Sequence, residues 1–561
     1  MKKILIGGVL VFFLIGISCK KPNEKNNINI YDAKKHWVDS VYSSLSTKEK
    51  VGQLFMVATY SNRGKKHTDS IQKLIKTNGI GGLIFFQGGP VRQAKLTNIY
   101  QSLSKVPLLI GIDGEWGLNM RLDSTPRFPY NMTLGAIKND SLIYKIGSQI
   151  GKQCKRLGIH INFAPVVDIN TNPKNPIIGV RSFGEDKENV ANKAIAFTQG
   201  MQSEGVMACA KHFPGHGDTS QDSHKTLPTV SFNKQRIDSV ELYPFKKLFE
   251  KHIAGVMVAH LNVPSLEPTE GVPSSLSYTI VTDILKEQLN YKGLIFTDAL
   301  NMKGAANYKE PGDIDLAAFK AGNDVLLFTE NAPKAISKIV EAYNNQDITE
   351  ERLAYSVKKI LRAKYDANLH QFKPIDIVNL KEDLNNSSNI LLNEEVFSNA
   401  ITALKNSNRI LPIKENEKEN IAYIKLGNGT YKTFLTELKT GIKVHDLTGL
   451  SEEKLLQELK KYDKVIIGYH RSNSRLTKAI SKKDQAIIEA IAQDKKVVLN
   501  VFSSQYALKN LTLKNIEGVI VSFENSEIAQ KISAQIILGK KQVVGKLPAS
   551  INNAYPVNFG I

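Results

Sequence analysis

A chain of 561 residues is longer than one hydrophobic core usually organises, so two domains are expected. Hydrophobic residues make up 42% and charged residues 23%, the balance of a globular protein rather than a disordered or fibrous one. The 74 basic residues outnumber the 54 acidic ones for a net charge of +20, yet the excess is mostly lysine spread along the chain, with no basic block interleaved with aromatics, and nucleic-acid binding has no support. Such a charge suits attraction to an anionic envelope or cell-wall polymer. A general enrichment in lysine would produce it equally well.

The chain opens MKKILIGGVLVFFLIGISC. Lys2 and Lys3 precede an apolar run of 14 residues, Ile4 to Ile17, shorter than the roughly 20 needed to span a bilayer. Basic start, short apolar run and small residues at the end predict a secretory signal over residues 1–18. Gly16-Ile17-Ser18-Cys19 resembles a bacterial lipoprotein cleavage site, which makes Cys19 the lipidated first residue of the mature chain. The expected location is the bacterial cell envelope, on a membrane through that lipid. Only Cys154 and Cys209 remain, both in apolar segments, and they read as buried thiols rather than a disulfide framework.

Residues 19–33, rich in Asn and Lys, read as a tether. A pattern of short apolar runs, each followed by a longer helical stretch, then fills residues 34–370. The predicted strands are 51–58, 81–86, 107–113, 161–169, 206–213, 254–261, 293–300 and 324–330. Eight strand–helix units over about 300 residues predict a (β/α)8 barrel of TIM type. An open Rossmann-type sheet lacks its G-x-G-x-x-G after the first strand. A helix near 350–370 is capped by Thr349, with Glu350 and Glu351 in its first turn. Residues 371–386, with Pro374 and Asn385-Asn386, read as a linker. Apolar runs at 420–427, 443–449, 463–470, 495–502 and 518–523 then predict a smaller three-layer α/β sandwich over 387–561. No phosphate loop is present in it, and His470 and Arg471 are its main polar strand-end residues. It is expected to be structural or to form one wall of the site.

A barrel keeps its reactive groups at the C-terminal ends of its strands. Asp113, Asp168, Lys211, His212, His260 and Asp298 all fall at or beside those ends. Asp298, in GLIFTDALNMKG, would lose water on one side, a cost tolerated when the charge is paired or used. The structural alternative is a helix cap or an ion pair.

The stretch KHFPGHGDTSQDSH, 211–224, concentrates three histidines. His212 and His216 have helical metal-ligand spacing, but Pro214, Gly215 and Gly217 oppose a helix, and no thiol or H-E-x-x-H accompanies them. No metal is expected, and His216 reads as a structural hydrogen-bonding residue. The second half is a loop by composition. In extended chain Asp222 and His224 project on the same side. The carboxylate can then fix the imidazole tautomer and leave the other nitrogen to move a proton. A solvated Asp–His pair on a surface loop is the alternative. A serine hydrolase lacks a G-x-S-x-G elbow. A strand-end carboxylate and an acid/base pair on another loop suit double-displacement glycoside hydrolysis.

Five motifs in order, GIDGEWGLNMRL, INFAPVVDI, IIGVRSFGED, KHFPGHGDTSQDSH and GLIFTDALNMKG, resemble the family 3 glycoside hydrolases, and within them the β-N-acetylglucosaminidase branch. The resemblance runs from about Leu45 to the C-terminus. It implies a barrel followed by an α/β sandwich, a retaining mechanism, and no cofactor. Matched position by position, Asp298 would be the nucleophile and His224 the acid/base with Asp222 as its partner. Asp113, Arg121, Arg181, Lys211 and His212 would hold the sugar hydroxyls in the −1 subsite, although Arg181 also suits a structural salt bridge. Relatives such as β-glucosidases take their acid from a carboxylate of the later domain. Glu115-Trp116-Gly117 stands where Glu-Gly-Gly is usual, which would set a bulky ring near the pocket.

Together with the N-terminal signal, the resemblance implies an envelope lipoprotein that removes terminal β-N-acetylglucosamine from peptidoglycan fragments or other amino-sugar glycans; a monomer is an expectation apart from the resemblance. Its alternatives are an exo-β-glucosidase or xylosidase, a phosphorylase of the same sugar, and a non-catalytic glycan-binding lipoprotein.

Overall fold

The computed structural model describes residues 24–223, 225–414, 419–473 and 476–561. The signal segment, Cys19 and His224 lie outside the described residues. Among the described residues no helix is long and apolar enough to cross a membrane.

Eight parallel strands build the first domain: β1 (Phe55–Tyr60), β2 (Gly82–Gln87), β3 (Leu109–Ile112), β4 (Ile161–Asn162), β5 (Met207–Phe213), β6 (Gly255–Val258), β7 (Leu294–Thr297) and β8 (Leu326–Leu327). They are neighbours in sequence order, with β8 against β1. Val325 closes the ring against β7, accepting from Thr297 N–H at 3.1 Å and donating to Ile295 C=O at 3.0 Å. This is the (β/α)8 barrel expected. Its strands read as apolar runs because helices cover the outer face while side chains fill the interior. Phe163 after β4 and Phe296 of β7 meet edge to face at 5.2 Å. At Gly111 a Cβ would stand 2.9 Å from Phe163, so only glycine leaves room for that ring.

The ladders are shorter than the apolar runs at most ends, β8 keeping only Leu326–Leu327 of 324–330, and two of the differences have a local cause. Val51 and Gly52 belong to the helix Thr47–Gly52, fixed by a capping box between Ser46 and Glu49. In the 161–169 run the regular ladder covers Ile161–Asn162; Pro165 has no N–H to donate, and pairing with β5 resumes as a bridge between Val166 and Lys211. Thr349 caps the helix Glu350–Asp366 by accepting from Arg352 N–H. The helix Glu24–Ser43 packs on it and reaches back through residues 24–33, which composition assigned to a tether. Past Pro22 that stretch contains neither proline nor glycine to stop a helix.

Residues 371–386 lie along the barrel rather than hanging free. Leu380 and Leu384, one turn apart, are buried, and the Arg156 guanidinium donates to the carbonyls of Asp376 and Val378 at 2.6 and 2.9 Å.

The second domain has a six-stranded sheet of β9 (Thr402–Asn406), β10 (Ile421–Leu426), β11 (Val444–Asp446), β12 (Lys464–His470), β13 (Lys496–Phe502) and β14 (Gly518–Val521), ordered β11-β10-β12-β13-β14-β9. Only β9 runs antiparallel, at the edge. Alternation shows in the packing. Val465 and Ile467 of β12 join an apolar cluster with Leu455 and Ile488, while Ile466 joins the opposite one with Phe434 and Ile532. Helices therefore cover both faces, the three-layer sandwich expected. This domain meets the barrel through Met132, Tyr506 and Ala549, through a 2.8 Å hydrogen bond from Asn170 Nδ2 to Tyr506 OH, and through Glu524.

Candidate active site

A cavity of about 350 Å³ opens at the C-terminal ends of the barrel strands. Every residue lining it comes from the barrel, so the second domain forms no wall of it among the described residues. Its lining combines charged groups, Asp113, Glu115, Arg121, Arg181, Lys211, His212 and Asp298, with the rings of Tyr60 of β1, Phe86 of β2 and Phe328 just after β8.

Lys211 near the end of β5 is the hub. Its Nζ stands 2.8 Å from Asp113 Oδ1 and 2.9 Å from Glu115 Oε1. Arg121 Nη2 reaches the other oxygen of Asp113 at 2.6 Å. Arg181 grips Glu115 with two parallel bonds, Nε to Oε2 at 2.9 Å and Nη2 to Oε1 at 2.7 Å, the bidentate fork that fixes both planes. Burial opposes ionisation of both acids, but the Lys211 ammonium and the arginines outweigh it. Asp113 is held far below the usual carboxylate range and Glu115 at about 2. The same carboxylates keep buried Lys211 and Arg181 protonated, their pKa raised despite desolvation. With Asp298, three carboxylates face three cations across the cavity. Asp113, Arg121, Arg181, Lys211 and His212 all line this one cavity, Arg181 while in a salt bridge with Glu115.

His212 turns its Nδ1 to Asp168 Oδ2 at 2.7 Å and its Nε2 to Arg181 Nη2 at 3.3 Å. Asp168 Oδ1 also accepts from His216 N–H at 2.7 Å. Burial opposes ionisation of Asp168, and the His212 and His216 contacts more than offset it, so its pKa is lowered. Sequence marked Asp168 only by its strand-end position. Glu115 carried the signal of lying two residues past Asp113 in the same loop.

Asp298 follows β7 directly. Its Oδ1 accepts from Ala299 N–H at 2.7 Å, and among the described residues Oδ2 accepts no hydrogen bond. Burial works against its charge, yet the His212 and His260 rings, the Ala299 N–H and the Lys211 ammonium hold its pKa below the ordinary value. Buried His260 secures the loop behind it, Nε2 at 3.0 Å from the Ala299 carbonyl and Nδ1 at 2.7 Å from Ser275 Oγ.

The 211–224 stretch divides. His216 is buried with both nitrogens used, Nδ1 at 2.6 Å from Thr219 Oγ1 and Nε2 at 3.1 Å from Ser223 Oγ. Thr219 Oγ1 donates to the His216 carbonyl, so Nδ1 donates and Nε2 accepts. Burial lowers the His216 pKa to about 4, which keeps the ring neutral for that pattern. Ser223 lines the cavity, and its carbonyl accepts from Gly304 N–H at 3.2 Å, in the loop that follows Asp298. The Asp222 carbonyl accepts from Lys225 and Thr226 N–H. The loop is tied to the segment after Asp298 through Ser223 and closes a turn on the Asp222 carbonyl.

Trp116, expected near the pocket, is not among its lining residues. Its ring meets Tyr130 edge to face at 4.8 Å. The loop geometry turns it away, because Gly117 at φ +89° reverses the chain against Phe128. Cys154 and Cys209 are both free and buried.

The model of the glycosyl hydrolase family 3 N terminal domain matches residues 46–363, more than half of the chain. Beta-hexosaminidase A of Pseudoalteromonas piscicida is 32% identical over 417 residues, covering 66% of this chain and 69% of the relative. A beta-N-acetylglucosaminidase/beta-glucosidase of Cellulomonas fimi is 27% identical over 401 residues, 70% of each. Among solved structures, a glycoside hydrolase family 3 beta-N-acetylglucosaminidase from Paenibacillus sp. str. FPU-7 is similar with TM-score 0.75 at 29% identity, covering 91% of this chain and 99% of that one. A beta-glucoside phosphorylase shares the fold with TM-score 0.80 at 23% identity, covering 93% and 97%.

Proposed function

The chain is a glycoside hydrolase that belongs to family 3, and on that footing we propose that it removes terminal β-linked N-acetylglucosamine with retention of configuration. The observation that carries the reading is Asp298, an ionised carboxylate at the end of β7 with Oδ2 unoccupied by the described residues, on the wall of a cavity that also holds donors and acceptors for hydroxyls.

In the first step Asp298 attacks the anomeric carbon and forms a glycosyl ester while His224 gives a proton to the leaving oxygen. His224 then takes a proton from water, which displaces Asp298. Asp222 orients His224 and stabilises its protonated form. Lys211, Arg121 and Arg181 donate to the sugar hydroxyls, and Asp113 accepts from them. Because all four are already fixed by mutual ion pairs, the ring is held without reorganisation as charge develops. Support for the sugar comes from the beta-hexosaminidase relatives. The envelope location, the lipid at Cys19 and peptidoglycan fragments as substrate rest on residues 1–19 of the sequence.

A panel of aryl β-glycosides on purified protein tests this. N-acetylglucosaminide should be turned over faster than glucoside or xyloside, at equal rates in phosphate and inert buffer. Preference for glucoside, or a glycosyl phosphate product, would replace the reading with one of its alternatives.

A further inference from the structure

Behind the charged wall of the cavity lies a carboxylate of the second domain. Glu524 follows β14, and its side chain is 1% exposed. Phe523 before it sits at φ +61°, a conformation costly for a residue with a side chain, and this turn aims Glu524 at the barrel. There Glu524 Oε1 accepts from Tyr130 N–H at 2.7 Å and from Thr133 Oγ1 at 2.7 Å. Its Oε2 faces Arg127 Nη1 at 2.6 Å. All three partners lie in one barrel segment, 127–133.

That segment touches Arg181 and the chain neighbour of its partner Glu115. Phe128 N–H donates to the Trp116 carbonyl at 3.0 Å, and the Tyr130 ring packs on Trp116, the neighbour of Glu115. Asn131 Nδ2 donates to the Arg181 carbonyl at 2.7 Å. Glu115 in turn holds Lys211. Glu524 itself is not among the residues lining the cavity.

We propose that Glu524 is a positioning residue of the barrel site: through segment 127–133 it sets the main chain of Glu115 and Arg181, and so the place of Lys211. The second domain then contributes to turnover without touching substrate. This rests on the reading of Arg181 and Lys211 as sugar-holding groups.

The test compares wild type with Glu524→Ala and Glu524→Gln, each in a Trp37→Phe background so that Trp116 is the remaining tryptophan. Trp37 packs against Tyr365 and His370, apart from the cavity. The substrate is the aryl glycoside that wild type turns over fastest, with good and poor leaving groups. Glutamine keeps the contacts to Tyr130 and Thr133 and loses only the charge towards Arg127. Expected for Glu524→Ala are a rise in KM of about ten-fold, the same for both leaving groups, and a shift in Trp116 emission without substrate; Glu524→Gln should fall between it and wild type. An unchanged KM with kcat falling in step with the folded fraction would make Glu524 merely structural and overturn the proposal. Losses confined to poor leaving groups would make it a proton donor and overturn it too. Wild type without turnover of N-acetylglucosaminides fails the functional reading alone, since the comparison then proceeds on the glycoside that is cleaved.

Discussion

Asp168 Oδ2 and His212 Nδ1 are 2.7 Å apart, both buried at the C-terminal mouth of the barrel. With Nδ1 donating to Asp168, Nε2 is left to accept from Arg181. One carboxylate thus sets the tautomer of a ring that lines the cavity.

Asp168→Asn isolates that bond, since the amide oxygen can still accept from His216 N–H. The amide nitrogen would face the protonated Nδ1, donor against donor. A buried donor left unpaired costs about 1–3 kcal/mol. Steady-state kinetics should show kcat/KM lower by on the order of ten- to a hundred-fold. An unchanged value would detach His212 from substrate binding.

Lys211→Met leaves Asp113 and Glu115 each with a single arginine. Breaking a buried ion pair on one side typically costs about 3–5 kcal/mol. The pH dependence follows from the depressed pKa values of Asp113 and Glu115. Their stability contribution is present above the unfolded carboxylate value of about 4 and is lost as pH falls through the folded value, about 2 for Glu115. Without Lys211 those folded values rise. The acid-unfolding midpoint, followed by circular dichroism, should therefore move to higher pH in the variant. An unmoved midpoint would mean that the arginines alone hold both acids ionised.

Lys364 is fully buried, with Gln53 Oε1 at 2.6 Å, and burial pushes its pKa down to about 7. The unfolded chain keeps this lysine protonated up to about 10.4. Between those values the unfolded state binds the extra proton, so stability rises with pH across that window. The stability of wild type minus that of Lys364→Met, from urea unfolding at pH 7, 8 and 9, should rise by up to about 1.4 kcal/mol per unit. A difference flat in pH would place a charged Lys364 in the folded core.

His216 joins Thr219 to Ser223, which precedes the proposed acid/base His224 in the chain. His216→Ala should slow an aryl glycoside with a poor leaving group about ten-fold and one with a good leaving group far less. General acid catalysis as a whole supplies about 10²–10⁴. Equal losses on both would place His216 in sugar binding instead.

Much of the barrel was legible because buried parallel strands leave uninterrupted apolar runs, as at Leu294–Thr297, and because Asp113, Lys211 and Asp298 punctuate their ends. The edge strand Thr402–Asn406 was not, since TALKN has neither a long apolar run nor clean alternation. Ser46 and Glu49 did carry a capping-box signature that places Val51 in a helix rather than a strand. Individual site residues stood out by type and position. Their pairing did not: that Glu115 bridges Lys211 and Arg181, or that Glu524 reaches segment 127–133, depends on contacts between residues far apart in the chain, which local pattern does not encode.

The central claim concerns Asp298. A slow 2-fluoro glycosyl fluoride should trap the enzyme, and intact mass should rise by one fluoroglycosyl unit. Fragmentation should then place the adduct on the peptide containing Asp298, and Asp298→Asn should abolish it. An adduct on any other carboxylate, or turnover with inverted configuration at the anomeric carbon, would contradict the assignment.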